Sequence, residues 1–263
     1  MTAREDIALV IPVCDPDAER FPSLVRRLRE DFMHVVVVDD GSAQGREAFD
    51  VVRGDVDAVL VPEVNRGKGA ALRTAFAWVR ENLPRAAGVV TVDGDGQHDP
   101  EDVRRVAEVL AEGAAEGLVL GVRSFAGDVP FRSKLGNFWT RGLFRLLTGL
   151  AVSDTQTGLR GIPAALLPRV LAIPGDRYEY EIRMLADARR HPAPPREVPV
   201  RTIYLNGNAS SHYRPLRDTF RTQLALWGTL FHRKRQLKKT CATQGIDRSV
   251  ASPIINQESH VLH

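Results

Sequence analysis

The chain has 263 residues, of which 43% are hydrophobic and 26% charged, and its formal net charge is +3. This composition is typical of a soluble globular protein with one large or two small domains, and the small charge gives no reason to expect a nucleic-acid partner. No apolar run reaches the roughly 20 residues that a membrane helix needs. Cys14 and Cys241 fit neither a metal site nor a disulfide framework. We therefore expect a cytosolic protein without a signal peptide.

Strands and helices are predicted to alternate over the first 122 residues. Apolar, mostly β-branched runs predict strands at 7–13, 35–38, 58–61, 89–92 and 118–122. Helical spacing predicts helices between them at 17–31, 46–53, 70–82 and 100–112, the last with proline at its first position. This alternation indicates βαβ units and hence an α/β fold with a mostly parallel sheet.

After residue 123 the pattern changes. Helices are predicted at 132–150, 164–171, 178–190 and 214–231, and strands at 159–162 and 198–204. The apolar stripe of the first of these helices is predicted to consist of Leu135, Phe138, Trp139, Leu143, Leu146, Leu147 and Leu150. Helices 132–150 and 214–231 both carry a tryptophan and basic flanks, so each can pack on the sheet or lie on an anionic membrane surface. Residues 240–263 show no periodicity and are predicted to be a disordered tail.

Acidic residues follow three of the predicted strands: Asp15 follows the first, Asp39 and Asp40 the second, and Asp93 and Asp95 the fourth. The carboxyl ends of parallel strands meet at one edge of a sheet, where ligands of open α/β folds bind. If the fourth strand persisted, Asp93 and Asp95 would share one face. Two carboxylates with the amide oxygen of Gln97 suit Mg²⁺ or Mn²⁺. The alternative is an ordinary surface turn, because Asp and Gly are common turn residues.

Two further polar segments are candidates for nucleotide contacts. Arg66 and Lys68 lie in a glycine-rich stretch at a predicted helix start, where they can add positive charge near phosphates or simply begin the helix. This stretch is not a Walker P-loop, and the Rossmann glycine pattern is absent after the first strand. Asp39 or Asp40 can accept a hydrogen bond from a base or ribose. His98 is expected to be a solvated loop histidine.

Taken in order, these segments resemble the inverting family-2 glycosyltransferases of the GT-A fold, especially the dolichol-phosphate mannose synthases and their bacterial polyprenyl-phosphate relatives. The matching pieces lie at 11–13, 39–42, 65–71, 93–98, 121–123, 154–160 and 210–213. The resemblance covers roughly residues 7–220. It implies a single GT-A (nucleotide-diphospho-sugar transferase) domain over 1–235, with helices on both faces of the sheet and the basic amphipathic helix 214–235 at its end.

The resemblance also implies roles on the donor side of the site. Pro12 and Val13 would flank the nucleotide base, Asp40 would contact the base or ribose, and Lys68 would belong to the nucleotide site. Asp93 would face both the nucleotide and the metal, and Asp95 and Gln97 would coordinate Mg²⁺ or Mn²⁺. Relatives usually carry Tyr-Asn-Glu after the first strand, where this chain has Cys14, Asp15 and Pro16.

On the acceptor side, Arg123, Arg132, Ser133 and His212 would meet an acceptor phosphate, with His212 standing where relatives carry lysine. Asp95, Asp154 and Arg123 would be the catalytic residues. The implied reaction moves a mannose- or glucose-type sugar from a GDP- or UDP-sugar to a polyprenyl or dolichyl phosphate, on the inner face of the membrane.

Three alternatives to this reading stay open. The same donor chemistry can act on a soluble hydroxyl acceptor, with Asp154 as the base. A nucleotidyltransferase shares the α/β fold and an Asp-x-Asp-like metal site, although it usually has a glycine-rich loop after the first strand. A non-catalytic sugar-nucleotide binder fits the altered first-strand motif, but Asp93, Asp95 and Gln97 argue against it.

Overall fold

The computed structural model describes residues 6–112, 117–123 and 131–201. His212, helix 214–235 and the tail 240–263 therefore lie outside the described residues. The boundaries 1–235 of the domain stay a prediction for the same reason.

Seven strands form one mixed sheet in the order β3-β2-β1-β4-β6-β5-β7. The strands are β1 Ile7–Val13, β2 His34–Asp39, β3 Ala58–Leu60, β4 Gly88–Thr91, β5 Val119–Arg123, β6 Arg160–Pro163 and β7 Arg196–Val200. Strand β6 runs antiparallel to β4 and β5, and all other neighbours pair in parallel. The predicted mostly parallel sheet is confirmed.

Helices connect these strands at the predicted places. They are α1 Arg20–Arg29, α2 Glu47–Val52, α3 Lys68–Asn82, α4 Pro100–Ala111, α5 Phe131–Thr148, α6 Leu167–Leu171 and α7 Glu179–Asp187. Helix α1 begins three residues later than predicted, since the Asp17 carboxylate accepts hydrogen bonds from the main-chain N–H groups of Glu19 and Arg20 and holds a turn there. Helix α4 begins as predicted because Asp99 caps it and Pro100 follows.

Alternating residues of the sheet pack against helices on its two faces. On β1, Ile7, Leu9 and Ile11 contact the layer of α1, α2 and α4. Ala8 and Val10 face the layer that contains α3, α6, α7 and Phe144 of α5. Because a strand turns successive side chains to opposite sides, a buried central strand must be apolar throughout, as β1 is. Helices on both faces are thus confirmed.

The apolar stripe predicted on helix 132–150 is wrong at two positions. Leu146 is 81% exposed, whereas Phe144, which was not assigned to the stripe, is fully buried. Thr140 and Thr148 are also buried, so the buried face consists of residues 140, 144 and 148, which are spaced i, i+4 and i+8. Two of these three residues are threonines, which a search for apolar residues does not detect. Over residues 140–148, this helix therefore packs into the core cluster on one face of the sheet. No helix in the described part of the chain is both long and apolar enough to span a bilayer.

Candidate active site

The ends of three adjacent parallel strands build the site. Strand β1 lies between β2 and β4, with Val13 opposite Asp39 and Val10 opposite Thr91. Beyond the paired residues, the N–H of Asp40 donates to the Val13 carbonyl (2.8 Å), and the N–H of Val92 donates to the Val10 carbonyl (3.0 Å). The fold thereby brings Asp40, Asp93 and Asp95 to the same edge of the sheet.

Asp93 and Asp95 do not continue β4, so the conditional expectation that they share a strand face does not apply. Strand β4 ends at Thr91, and residues 94–95 form a turn. The Asp95 carboxylate accepts a hydrogen bond from the main-chain N–H of Gln97 (3.0 Å), and Gly96 has a positive φ of 77°. The turn gives the two carboxylates different surroundings.

Asp93 is held by positive charge. The ammonium of Lys68 lies 2.6 Å from Asp93 Oδ1, and Nε2 of His98 lies 3.8 Å from Asp93 Oδ2. Burial by itself would raise the pKa of Asp93, but Lys68 and His98 outweigh it and hold the pKa well below its usual range. The His98 side chain is only 11% exposed, so the expectation of a solvated loop histidine is wrong.

Asp95 is in the opposite electrostatic situation. Burial and the neighbouring charge of Asp93 raise its pKa above the ordinary value. No salt bridge reaches its carboxylate within the described ranges. A cation beside Asp95 would stabilise its charged form and so offset both the burial and the repulsion from Asp93.

The donor atoms fit a partial site for a hard divalent cation. Among the described residues, no group of three or more His, Cys, Asp and Glu side chains is arranged to hold a metal. Asp93, Asp95 and the amide of Gln97 would supply oxygen ligands, and Mg²⁺ or Mn²⁺ commonly completes such a set with water and substrate phosphates. The residues therefore fit a cation that binds together with a diphosphate.

Asp40 and Lys68 are joined by the turn that begins α3. The N–H of Gly67 donates to Asp40 Oδ1 (3.0 Å), and Gly67 adopts a φ of 104° in this turn. Burial raises the pKa of Asp40 to about 6. A cavity of about 630 Å³ opens beside Asp40 and is lined in part by Pro62, Val64 and Arg66.

Two other acidic residues at strand ends hold loops. Asp15 accepts hydrogen bonds from the main-chain N–H groups of Ala43 (2.7 Å) and Gln44 (2.9 Å). Asp39, which is 2% exposed, accepts one from the N–H of Ser42 (2.7 Å). Of Asp39 and Asp40, the cavity is lined by Asp40.

The sequence analysis missed Glu181, and it gave no role to Arg160 although this residue ends the family-like segment 154–160; both residues lie behind the site. Lys68 donates to Glu181 on α7 at 3.0 Å, in addition to its contact with Asp93. Arg160 is 1% exposed, and its Nη1 donates to the Glu181 carbonyl (2.6 Å). Burial lowers the pKa of Arg160, and Glu181, Asp154 and Asp93 partly oppose that shift. No spacing rule connects α7 with β4; an acidic residue between apolar neighbours, as Glu181 is between Tyr180 and Ile182, was the only available signal.

Arg123 and Asp154 form a bidentate ion pair at the end of β5. Arg123 Nε lies 2.7 Å from Asp154 Oδ2, and Nη2 lies 3.2 Å from Oδ1. Asp154 is completely buried, whereas the Arg123 side chain is 34% exposed. The hydroxyl of Thr157 donates to the Gly121 carbonyl at 2.5 Å and ties the same turn to β5.

The remaining predicted residues are placed as follows. Pro12 and Val13 are buried at the end of β1, and Gln97 is half-buried in the turn after β4. Arg132 and Ser133 belong to the first turn of α5. Their predicted roles, like that of His212, stay predictions.

Solved structures identify the class of fold. The chain is similar to glucosyl-3-phosphoglycerate synthase from Mycobacterium tuberculosis in complex with Mn²⁺, uridine diphosphate and glucosyl-3-phosphoglycerate. The TM-score is 0.65 at 20% sequence identity, over 88% of this chain and 80% of that chain. The predicted GT-A fold is confirmed.

Sequence comparisons then give the family. The family model "Glycosyl transferase family 2" matches residues 9–167. An uncharacterized protein of Methanocaldococcus jannaschii is 30% identical over 76% of this chain and 83% of its own. The polyprenol monophosphomannose synthase of Mycolicibacterium smegmatis is 30% identical over 62% of this chain and 63% of its own length. The chain belongs to glycosyl transferase family 2, which confirms the resemblance and sets aside the nucleotidyltransferase and non-catalytic readings.

Proposed function

We propose that the chain transfers a mannose- or glucose-type sugar, with inversion, from a nucleotide-diphosphate sugar to a polyprenyl or dolichyl phosphate, using Mg²⁺ or Mn²⁺. One observation carries this proposal: Asp95 lies at the sheet edge that Asp40 and Asp93 share and has no ion-pair partner among the described residues. A site for a metal–diphosphate donor needs such an acidic edge to hold the cation.

The charges behind Asp95 are already balanced. Three carboxylates, Asp93, Asp154 and Glu181, lie near three cations, Lys68, Arg123 and Arg160. We call these six residues the inner charged layer. Lys68 and Arg123 form ion pairs with these carboxylates, whereas Arg160 donates to main-chain carbonyls. Buried charges are tolerated when they are paired or hydrogen-bonded. Asp95 is thus the carboxylate that remains for a cation arriving with the donor.

The donor is expected to lie along the sheet edge from Asp40 to Asp95. The cavity beside Asp40 has the volume of a small-molecule site. Its lining does not include Pro12 or Val13, so a base flanked by these two residues would lie next to this cavity and not in it. Solved neighbours of the fold contain uridine diphosphate, but this chain lacks the usual aromatic residue and glutamate after β1. UDP- and GDP-sugars are therefore both proposed donors.

In the proposed reaction, an acceptor phosphate oxygen attacks the anomeric carbon while the bond from that carbon to the diphosphate breaks. The electron pair of the broken bond stays on the departing nucleoside diphosphate. A divalent cation held by Asp93, Asp95 and Gln97 would offset the developing negative charge. The protein's own contribution is to hold donor and acceptor in line, since a phosphate monoester is already an anion and needs little help from a base.

The contacts of Asp154 favour a phosphate acceptor over a hydroxyl acceptor. A base must reach the hydroxyl of the acceptor, but Asp154 is completely buried and Arg123 occupies both of its oxygens. The same pair fixes the Arg123 guanidinium, which is partly exposed and suited to bind a phosphate. Arg132, Ser133 and His212 are proposed to complete that acceptor site.

A lipid acceptor requires a peripheral position on the membrane, which we propose to be the cytoplasmic face. The basic segment 214–239 is the proposed contact with anionic lipid. The full chain is expected to pellet with anionic liposomes at low salt, and a chain without residues 214–239 to remain in the supernatant. A full chain that stays in the supernatant would favour a soluble acceptor.

The decisive experiment offers both acceptor classes to the purified chain. UDP-glucose or GDP-mannose is incubated with Mn²⁺ and either polyprenyl phosphate in vesicles or soluble 3-phosphoglycerate, and products are measured by mass spectrometry. We expect glycosylated polyprenyl phosphate. Transfer to 3-phosphoglycerate alone would replace the lipid proposal with the soluble alternative. A prior thermal-shift screen of GDP- and UDP-sugars, with and without Mn²⁺, selects the donor, because a ligand of the native state raises the unfolding midpoint.

A further inference from the structure

One ammonium group is shared by two carboxylates beneath the proposed donor site. Lys68 Nζ lies 2.6 Å from Asp93 Oδ1 and 3.0 Å from Glu181 Oε1. The side chains of Lys68 and Glu181 are 16% and 11% exposed, so water screens these contacts only weakly. Asp93 lies at the sheet edge of the proposed donor site, whereas the Glu181 carboxylate, in the part of the chain that the structure describes, contacts Lys68.

The fold fixes Glu181 at this position through its neighbours. The Glu181 carbonyl accepts from Arg160 Nη1, and Arg160 Nε donates to the Thr157 carbonyl (2.9 Å), so helix α7 is tied to the turn beside Asp93. The first turn of α3 also packs directly on α7, because a Cβ added to Gly69 would lie 2.5 Å from the Cβ of Tyr180. Lys68 and Glu181 are thus brought together by close packing of two helices.

The second carboxylate, that of Glu181, affects where the Lys68 ammonium lies when a donor binds. A lysine paired with Asp93 alone could turn toward an arriving diphosphate, which carries more negative charge. Because Glu181 also attracts the ammonium, Lys68 is expected to remain between the two carboxylates and to keep one oxygen of Asp93 fixed. The Asp93 carboxylate also lies against Gly158, where an added Cβ would be 2.3 Å from Oδ2 and 2.7 Å from Oδ1. The Asp93 carboxylate therefore has little freedom to rotate.

We propose that Glu181 is a positioning residue for the donor site: it retains the Lys68 ammonium against Asp93, so that Asp93 is oriented before the donor and its cation bind. This inference rests on the proposed function, since it assumes that Asp93 contacts the metal–nucleotide complex. It assigns to α7, a helix outside the family match at 9–167, a part in donor binding.

The test measures binding of Mn²⁺ with UDP and with GDP by titration calorimetry, using the full chain. Glu181→Gln keeps the size of the side chain and removes its charge, and we expect it to raise the dissociation constant about tenfold, or about 1.4 kcal/mol. The matched control is Asp187→Asn, which removes a carboxylate from the same helix and instead breaks the ion pairs with Arg169 and Arg190. It is expected to lower the thermal midpoint without changing the dissociation constant.

A double-mutant cycle separates positioning from general stability. In a Lys68→Met background, Glu181 has no ammonium to hold, so adding Glu181→Gln is expected to cause no further loss of affinity. Equal losses from Glu181→Gln in both backgrounds would overturn the inference, as would unchanged affinity in the single variant. Failure of the wild-type chain to bind either nucleotide with Mn²⁺ would instead refute the proposed function on which the inference rests.

Discussion

The carboxylates of the inner charged layer and those at the rim of the site, Asp40 and Asp95, differ in their electrostatic surroundings. In the inner layer, Asp93 is paired with Lys68 and its pKa is depressed. At the rim, which consists of Asp40 and Asp95, burial raises the pKa of both carboxylates. The three carboxylates of the inner layer have ion-pair partners in the protein, whereas those of the rim carry unfavourable buried charge that a donor and its cation can offset. The two groups of carboxylates thus differ in whether positive side chains of the protein already lie against them.

The largest effect is expected from removing charge at the rim. Asp95→Asn should lower transfer by about a thousandfold, because stabilisation of the leaving diphosphate is lost. Its thermal midpoint should stay the same or rise, since an unfavourable buried charge disappears. Asp50→Asn, in an exposed pair with Arg53, is the control and should change neither value. Initial rates with Mn²⁺ and thermal melts check the prediction, which fails if Asp95→Asn retains transfer within fivefold of wild type.

Removing charge from the inner layer should give the reverse pattern. Asp154→Asn breaks a pair in which one partner is fully buried, and we expect the free energy of unfolding to fall by about 2–3 kcal/mol. The turnover number kcat should stay within tenfold, while KM for the acceptor rises because Arg123 is no longer fixed. A drop in kcat of a hundredfold or more with unchanged acceptor KM would restore Asp154 as a base.

A pair of glycine substitutions compares the crowded inner layer with the surface. Gly158→Ala would put a Cβ against the Asp93 carboxylate, and should cost about 2 kcal/mol of stability and lower transfer about tenfold. Gly142→Ala, in α5 with no atom near the added Cβ, should raise stability by about 0.5–1 kcal/mol. Denaturant unfolding and initial rates measure both. If Gly158→Ala is as stable and active as wild type, the close approach of Gly158 to Asp93 is wrong.

The smallest expected effect concerns the pH dependence of Asp40. Its pKa is raised from 3.8 to about 6 in the folded chain, so the folded state binds this proton more tightly than the unfolded state. The resulting stabilisation is fully present below pH 3.8 and is lost as the pH rises through about 6. Because the residue is only half-buried, we discount the contribution to about 1 kcal/mol.

The measurement compares thermal midpoints of wild type and Asp40→Asn without ligand. Between pH 7 and about pH 4, the wild type should gain about 2–4 °C relative to the variant. A constant difference across this range would show that Asp40 titrates normally. The rim would then consist of Asp95 alone.

Much of the fold was predictable because its signals are local. Short apolar runs rich in β-branched residues, such as 7–13 and 35–38, favour buried strands, and Asp99 followed by Pro100 marks a helix start by its own hydrogen bonding. Residues at the ends of parallel neighbours must share an edge, so the meeting of Asp40 with Asp93 also followed from the order of elements. The buried side of α5 was only partly predictable, since Thr140 and Thr148 face the core and Leu146 does not.

The sequence by itself determined the alternation of elements, the acidic edge of the sheet and, through its ordered motifs, the glycosyltransferase family. Only the tertiary structure decided which charge each carboxylate meets. Lys68 and Glu181 are 113 positions apart, and Asp93 and Asp95 differ because one faces the ammonium and the other lies in a turn beside it. Electrostatic energy depends on distance and burial in three dimensions, and spacing along the chain records neither.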